Sequence, residues 1–111
     1  MDKIRAGLNR FQSEIYPQRR DLFHRLAREQ HPRALFLTCA DSRVDPSLIT
    51  QTEPGELFIC RNAGNIVPPH GGVNEGMTAS IEYALAVLEV PHIIICGHSN
   101  CGAMKGAVSY T

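Results

Sequence analysis

The sequence predicts an α/β protein built on a parallel sheet, with flanking helices and an N-terminal helical arm. Three observations predict it. Residues 34–38 (ALFLT), 57–60 (LFIC) and 93–96 (IIIC) are short continuous apolar runs, the form of strands buried on both faces of a parallel sheet. Between the second and third runs, Ala79, Ile81, Ala84, Leu85 and Leu88 recur at helical spacing. Strand, crossover, strand in that order is the signature of right-handed parallel units. A length of 111 residues suits a single domain, with the arm over about 1–30 and the α/β core over about 31–111.

The elements follow in order. Ile4, Leu8, Phe11 and Ile15 define a first amphipathic helix over 2–15, with Asp2 placed to cap it and Pro17 expected to break it. A second helix runs from Gln18 to about Arg28, with Leu22, Phe23 and Leu26 on one face and arginines on the other. Pro46 to Gln51 forms a short helix in the first crossover. Pro68, Pro69, Gly71 and Gly72 mark a loop, and the next helix begins near Asn74 and stops before Pro91.

Composition narrows the function. Eleven basic and eleven acidic residues give no net charge, so no broad electrostatic footprint for nucleic acid exists. No apolar run approaches the roughly 20 residues that span a bilayer, and the charged start MDKIR lacks a signal-peptide core, so the expectation is a soluble cytoplasmic protein without membrane partners. Four cysteines in a reducing cytosol are better read as metal ligands and core thiols than as disulfides. Cys60 and Cys96, inside apolar runs, are expected in the core.

The chemistry concentrates in Cys39-x-Asp41-x-Arg43 and His98-x-x-Cys101. Two thiolates and an imidazole are ligands that Zn²⁺ prefers, and Asp41 offers a fourth position that a carboxylate can occupy or vacate. Cys39 leaves the end of the first predicted strand and His98 the end of the third. In open α/β sheets the crevice outside those carboxyl ends binds ligands, so the two segments can converge there. The segment after Cys101 reads as a helix, whose free N-terminal N–H groups favour a thiolate or an anion. Arg61 and Asn62 fit an interface, a supporting role beside the site, or stabilisation of the fold.

Taken together, Cys39-Ala-Asp-Ser-Arg43, Pro54-Gly-Glu56, Arg61-Asn-Ala-Gly-Asn65 and Gly97-His-Ser-Asn-Cys101-Gly resemble the β-class carbonic anhydrases, in that order and near that spacing. The resemblance implies a lyase that reversibly hydrates carbon dioxide to bicarbonate and a proton, through hydroxide formed on a zinc held by Cys39, His98 and Cys101. It implies that Arg43 binds Asp41 through a bidentate fork and keeps it off the metal, where it orients the nucleophile; with the pair broken, Asp41 becomes the fourth ligand. It also implies a substrate cleft at the interface of a homodimer or larger homo-oligomer, lined by residues matching Gln30, Phe58 and Tyr83, with the Gly102 N–H approaching the bound anion. By pattern alone, Phe58 and Tyr83 read as core. The resemblance covers the N-terminal and central part of the family domain; the further helices and strand of that domain are absent from these 111 residues, so the expectation is a fold truncated relative to the family. The alternative reading is a non-catalytic zinc-binding or assembly module in which Asp41 closes the metal site.

Overall fold

The computed structural model describes residues 1–69 and 75–109. His70, Gly71, Gly72 and Asn74, on which the loop and the start of the following helix were expected, lie outside the described residues, as do Tyr110 and Thr111. The chain divides into two compact units, Met1–Gln30 and His31–Thr111.

The first unit is helical. α1 (Asp2–Arg10) runs into a wide π turn (Phe11–Ile15) and a short α2 (Tyr16–Gln18), and after a turn at Arg19 comes α3 (Arg20–Arg28). Two expectations are corrected here. Asp2 lies in the first turn of α1 instead of capping it, and Pro17 does not end the helical path but enters α2 within its first positions. The reason is the π turn: the Tyr16 N–H reaches back five residues to the Phe11 carbonyl, widening the coil just before a residue that lacks an N–H and whose ring crowds the preceding turn. Phe11, Tyr16 and Phe23 then form a small aromatic cluster, with Phe11 edge-on to Phe23 at 5.7 Å and Tyr16 stacked on Phe23 at 5.6 Å.

The second unit holds a three-stranded parallel sheet in the order β2-β1-β3, with β1 (Ala34–Cys39) between β2 (Leu57–Asn62) and β3 (Ile93–Cys96). Every residue of β1 is buried, which is what its unbroken apolar run dictates for a central strand. Because side chains alternate, Leu35, Leu37 and Cys39 share one face. Leu35 and Leu37 pack there with Cys60, Met77, Ala84 and Val90, and Phe58, Ile81 and Leu88 lie against that cluster. The helical crossover consists of α5 (Glu75–Glu82) continued by a π turn (Tyr83–Val87).

The outer strands depart from the expectation of burial on both faces. β2 is mostly half-buried, and Ile93, Ile94 and Ile95 of β3 are 50%, 39% and 67% exposed. An apolar run records the character of a strand, not what covers it, and among the described residues β3 has a single neighbour, β1. For the same reason Cys96 is only half-buried, whereas Cys60 is in the core. Tyr83 is exposed, not core.

The register fixes where the strand ends fall. Cys39 pairs with Asn62 across β1 and β2, and Thr38 pairs with Cys96 across β1 and β3, so all three strands finish at one edge. Thr38 is fully buried and donates its hydroxyl to the Cys96 carbonyl at 2.9 Å, tying the last turn of β1 to the end of β3. The loop after β1 enters α4 (Pro46–Thr50) under an Asp45 cap that accepts the Leu48 N–H, with Pro46 in the first helical turn.

At the opposite edge, Glu56 closes the turn into β2. Its carboxylate accepts the Glu53 N–H at 2.6 Å and the Arg33 Nε at 3.0 Å. Those contacts, the Glu53 N–H first, hold its carboxyl below the usual carboxylate range. A carboxylate with a depressed folded-state pKa stabilises the fold above its unfolded value and loses that contribution as pH falls through the folded value. We therefore expect Glu56→Gln to lower the thermal midpoint by about 2–4 °C at pH 7, with the gap closing when melts are repeated below the carboxylate range.

Candidate metal centre

Three segments meet at the edge where the strands finish. Cys39 is the last residue of β1; His98 lies in the loop after β3; Cys101 sits just before α6 (Gly102–Ser109), where its carbonyl accepts the Lys105 N–H at 3.0 Å. The Cys39 and Cys101 sulfurs are 3.9 Å apart, and one ligand atom from each of Cys39, His98 and Cys101 lies within 4.8 Å of the others.

These dimensions suit a cation. Two thiolates bound to one tetrahedral zinc at about 2.3 Å stand roughly 3.8 Å apart, close to the separation found. His98 Nε2 is buried and has no hydrogen-bond partner among the described residues. A buried polar atom without a partner is costly, and one aimed beside two sulfurs is an available electron pair. The other ring nitrogen, Nδ1, is 2.8 Å from the Ser99 carbonyl, the arrangement that leaves Nε2 as the ligand.

Main-chain groups tune the sulfur of Cys39. The Gly64 N–H points at it from 3.2 Å and is the largest influence bringing its thiol down to about 6, followed by the His98 ring and the Asp41 backbone, against the opposing effect of burial. Gly64 belongs to the tight turn Ala63–Asn65 that follows β2, and its φ of +84° is a conformation side chains disfavour. The His98 ring is pushed above its ordinary value, first by Cys39 and then by the Ser99 carbonyl.

Asp41 stands beside the triangle, with Oδ2 3.8 Å from His98 Nε2. Arg43 holds it by its backbone N–H and Nε on Oδ1, both at 2.9 Å, and by Nη2 on Oδ2 at 2.7 Å. The Arg43 guanidinium keeps the carboxyl well below the usual carboxylate range, and Asp41 in turn raises Arg43. The pair has the bidentate form that the family resemblance implies for Asp41 and Arg43.

The backbone of this loop is clamped by Arg61 of β2, which donates Nε to the Cys39 carbonyl and Nη2 to those of Asp41 and Val44, each at 2.9 Å. Asn62 serves the fold, its amide closing on both backbone groups of Ile66.

Of the residues implied for a substrate cleft, Gly102 opens α6 next to Cys101. Phe58 and Tyr83 come together, with rings 5.8 Å apart. They do not join the triangle: Phe58 pairs with Leu35, four positions before the Asn62–Cys39 pair, or about 13 Å along the strand. Gln30 is the last residue of the helical unit.

A family sequence model described as carbonic anhydrase matches residues 34–111. The chain belongs to the carbonic anhydrase family. Within the curated proteins it is 58% identical over 106 residues to a carbonic anhydrase of Synechococcus elongatus, covering 96% of this chain and 39% of that protein. It is 58% identical over 109 residues to one of Pseudomonas aeruginosa, covering 98% and 49%. Among solved structures, the β-carbonic anhydrase CcaA superposes with a TM-score of 0.93 at 55% identity, over 98% of this chain and 49% of that one. A tetrameric β-carbonic anhydrase of Sordaria macrospora gives 0.84 at 38%, over 96% and 53%. The parallel-sheet α/β fold and its β-class resemblance therefore hold, and the chain spans about half the length of its relatives, or less.

Several groups that shape this carbonic anhydrase-type site carried no side-chain signal: the Gly64 N–H, the Ser99 carbonyl and the carbonyls gripped by Arg61. The glycine itself was the available clue. Gly64→Ala forces a Cβ to within 3.4 Å of the Ala103 Cβ at a left-handed φ. It is expected to cost about 1–2 kcal/mol in urea unfolding, since an L side chain there is strained whatever the space.

Proposed function

We propose that the chain carries the zinc centre of a β-class carbonic anhydrase that reversibly hydrates carbon dioxide to bicarbonate and a proton. The observation that carries this reading is the convergence of Cys39, His98 and Cys101 on one point, with Asp41 held beside that point by Arg43. Cys39, His98 and Cys101 hold the metal. A zinc ion held there supplies the Lewis acidity that makes hydroxide available near neutral pH.

The other residues do the positioning. Asp41, ionised throughout the physiological range, can only accept hydrogen bonds, so it orients the proton of the nucleophile and leaves the oxygen lone pair facing the substrate. Arg43 prevents the carboxylate from taking the fourth metal position itself. The Gly102 N–H, in the first turn of α6, faces the anionic product. Phe58 and Tyr83 supply an apolar wall for carbon dioxide, and Gln30 a polar group for bicarbonate.

Because Phe58 lies about 13 Å along the sheet from Cys39 of its own chain, we assign that wall to the centre of a second copy, which makes the working form a homodimer or a larger homo-oligomer. Four free thiols suit the reducing cytoplasm, and no helix among the described residues is long and apolar enough to cross a membrane. The rival reading, a closed four-ligand zinc module, requires Asp41 to leave Arg43, and the three hydrogen bonds between them weigh against it.

Stopped-flow hydration of carbon dioxide by zinc-loaded protein tests the proposal. We expect one zinc per chain, with Cys101→Ser losing most of it and lowering kcat/KM by about 100-fold or more. Equal background rates in both proteins would remove the catalytic claim. Removal of the metal by a chelator is expected to lower the thermal midpoint, because an ion bound only by the folded state stabilises it.

A further inference from the structure

Every hydrogen bond between Asp41 and Arg43 is made within three consecutive residues of one loop. Those bonds fix the carboxylate relative to its own loop. They do not fix it relative to His98 and Cys101, which belong to another loop. The Arg43 side chain is 62% exposed and that of Asp41 15%, so the guanidinium lies at the surface, where the second loop can reach it.

Among the described residues, one hydrogen bond carries the pair across, beside the 3.8 Å approach of Asp41 Oδ2 to His98 Nε2. Arg43 Nη2, the atom that grips Asp41 Oδ2, also donates to the Asn100 carbonyl at 3.0 Å. Asn100 adopts a φ of +55°, the left-handed region that asparagine tolerates better than most residues. Its side-chain Oδ1 accepts from Lys105 Nζ at 3.2 Å, tying the turn to α6. The preceding carbonyl, that of Ser99, lies on His98 Nδ1. One two-residue turn therefore presents two successive carbonyls, the first to the imidazole and the second to the Asp41–Arg43 pair.

We propose that Asn100 is a positioning residue for the carbonic anhydrase reaction: its left-handed backbone aims the carbonyl that latches Arg43, and through Arg43 holds Asp41 beside the metal instead of on it. This rests on the zinc reading above. The operative group is the carbonyl, so what position 100 must supply is a backbone able to adopt positive φ. A β-branched residue resists that conformation and turns the carbonyl away; Arg43 then loses its hydrogen bond to the second loop, and Asp41 is released toward the fourth metal position.

The test uses Asn100→Gly, Asn100→Ala and Asn100→Val in the zinc- and cobalt-loaded protein. It reads kcat/KM and, independently of turnover, whether water exchanges at the cobalt ion. We expect kcat/KM to fall roughly 3-fold in Asn100→Ala and about 10-fold or more in Asn100→Val, with exchangeable water lost in the same order. Asn100→Gly, which relieves the strain while keeping the carbonyl, restores both readouts to about the parent's level. The alanine variant carries the comparison should the valine variant fail to fold. Parent-like exchange and kcat/KM in folded Asn100→Ala and Asn100→Val would overturn the latch. A fall in Asn100→Gly as deep as in Asn100→Val would also overturn it, since the amide side chain, not the backbone, would then be responsible. A parent protein that holds no metal defeats the zinc reading itself, whereas a loaded, active parent with insensitive variants defeats only the latch.

Discussion

Two thiols 62 residues apart in sequence face each other because β1 and β3 run side by side in the same direction and stop at the same level. Everything at the candidate metal centre depends on that parallel register. A one-residue slip of β1 would send Cys39 to the opposite face of the sheet, away from Cys101. The register is secured by burial: β1 has no exposed residue, Leu35 and Leu37 are locked into the cluster with Ala84 and Val90, and Thr38 spends its hydroxyl on the Cys96 carbonyl. The core below the site and the chemistry at its rim are thus parts of one arrangement.

Above that frame, the site is organised as loops held by hydrogen bonds to carbonyls. Arg61 reaches from β2 to three carbonyls of the loop that carries Asp41. Arg43 reaches from that loop to the turn that carries His98. Both use the planar fork of a guanidinium, which offers several donors in fixed directions and no acceptor. The result is a chain of contacts from β2 through the Asp41 loop to the His98 loop, with the candidate metal ligands distributed along it. Loops at strand ends need such ties, because regular secondary structure no longer satisfies their backbone groups there.

Much of this could be read from the sequence, for reasons that differ by level. The strands were legible because isoleucine, leucine and phenylalanine in unbroken runs leave few alternatives. The Cys39–His98–Cys101 cluster was legible because cysteine and histidine at metal spacing are rare in other roles. What covers a strand was not legible: the runs 34–38 and 93–96 look alike, yet one is a buried centre and the other an exposed edge. Pro17 was misjudged because a π turn placed before a proline removes the clash that normally ends a helix, and local propensity carries no sign of it. The finer site was hidden for a deeper reason. The Gly64 N–H and the Ser99 and Asn100 carbonyls belong to the main chain, which every residue possesses, so only the fold decides which of them point inward.

The amide above Cys39 has a corollary for how this centre tolerates change. An influence delivered by a side chain can be erased by a single replacement, and scanning the chain with alanine would reveal it as a sharp loss. The strongest influence on this sulfur comes from a peptide N–H, which truncating any neighbouring side chain leaves in place. Proline at position 64 is the one coded substitution that deletes it chemically. The thiol's electronic character is in this sense inherited from the path of the backbone, and it persists through substitutions as long as that path is kept.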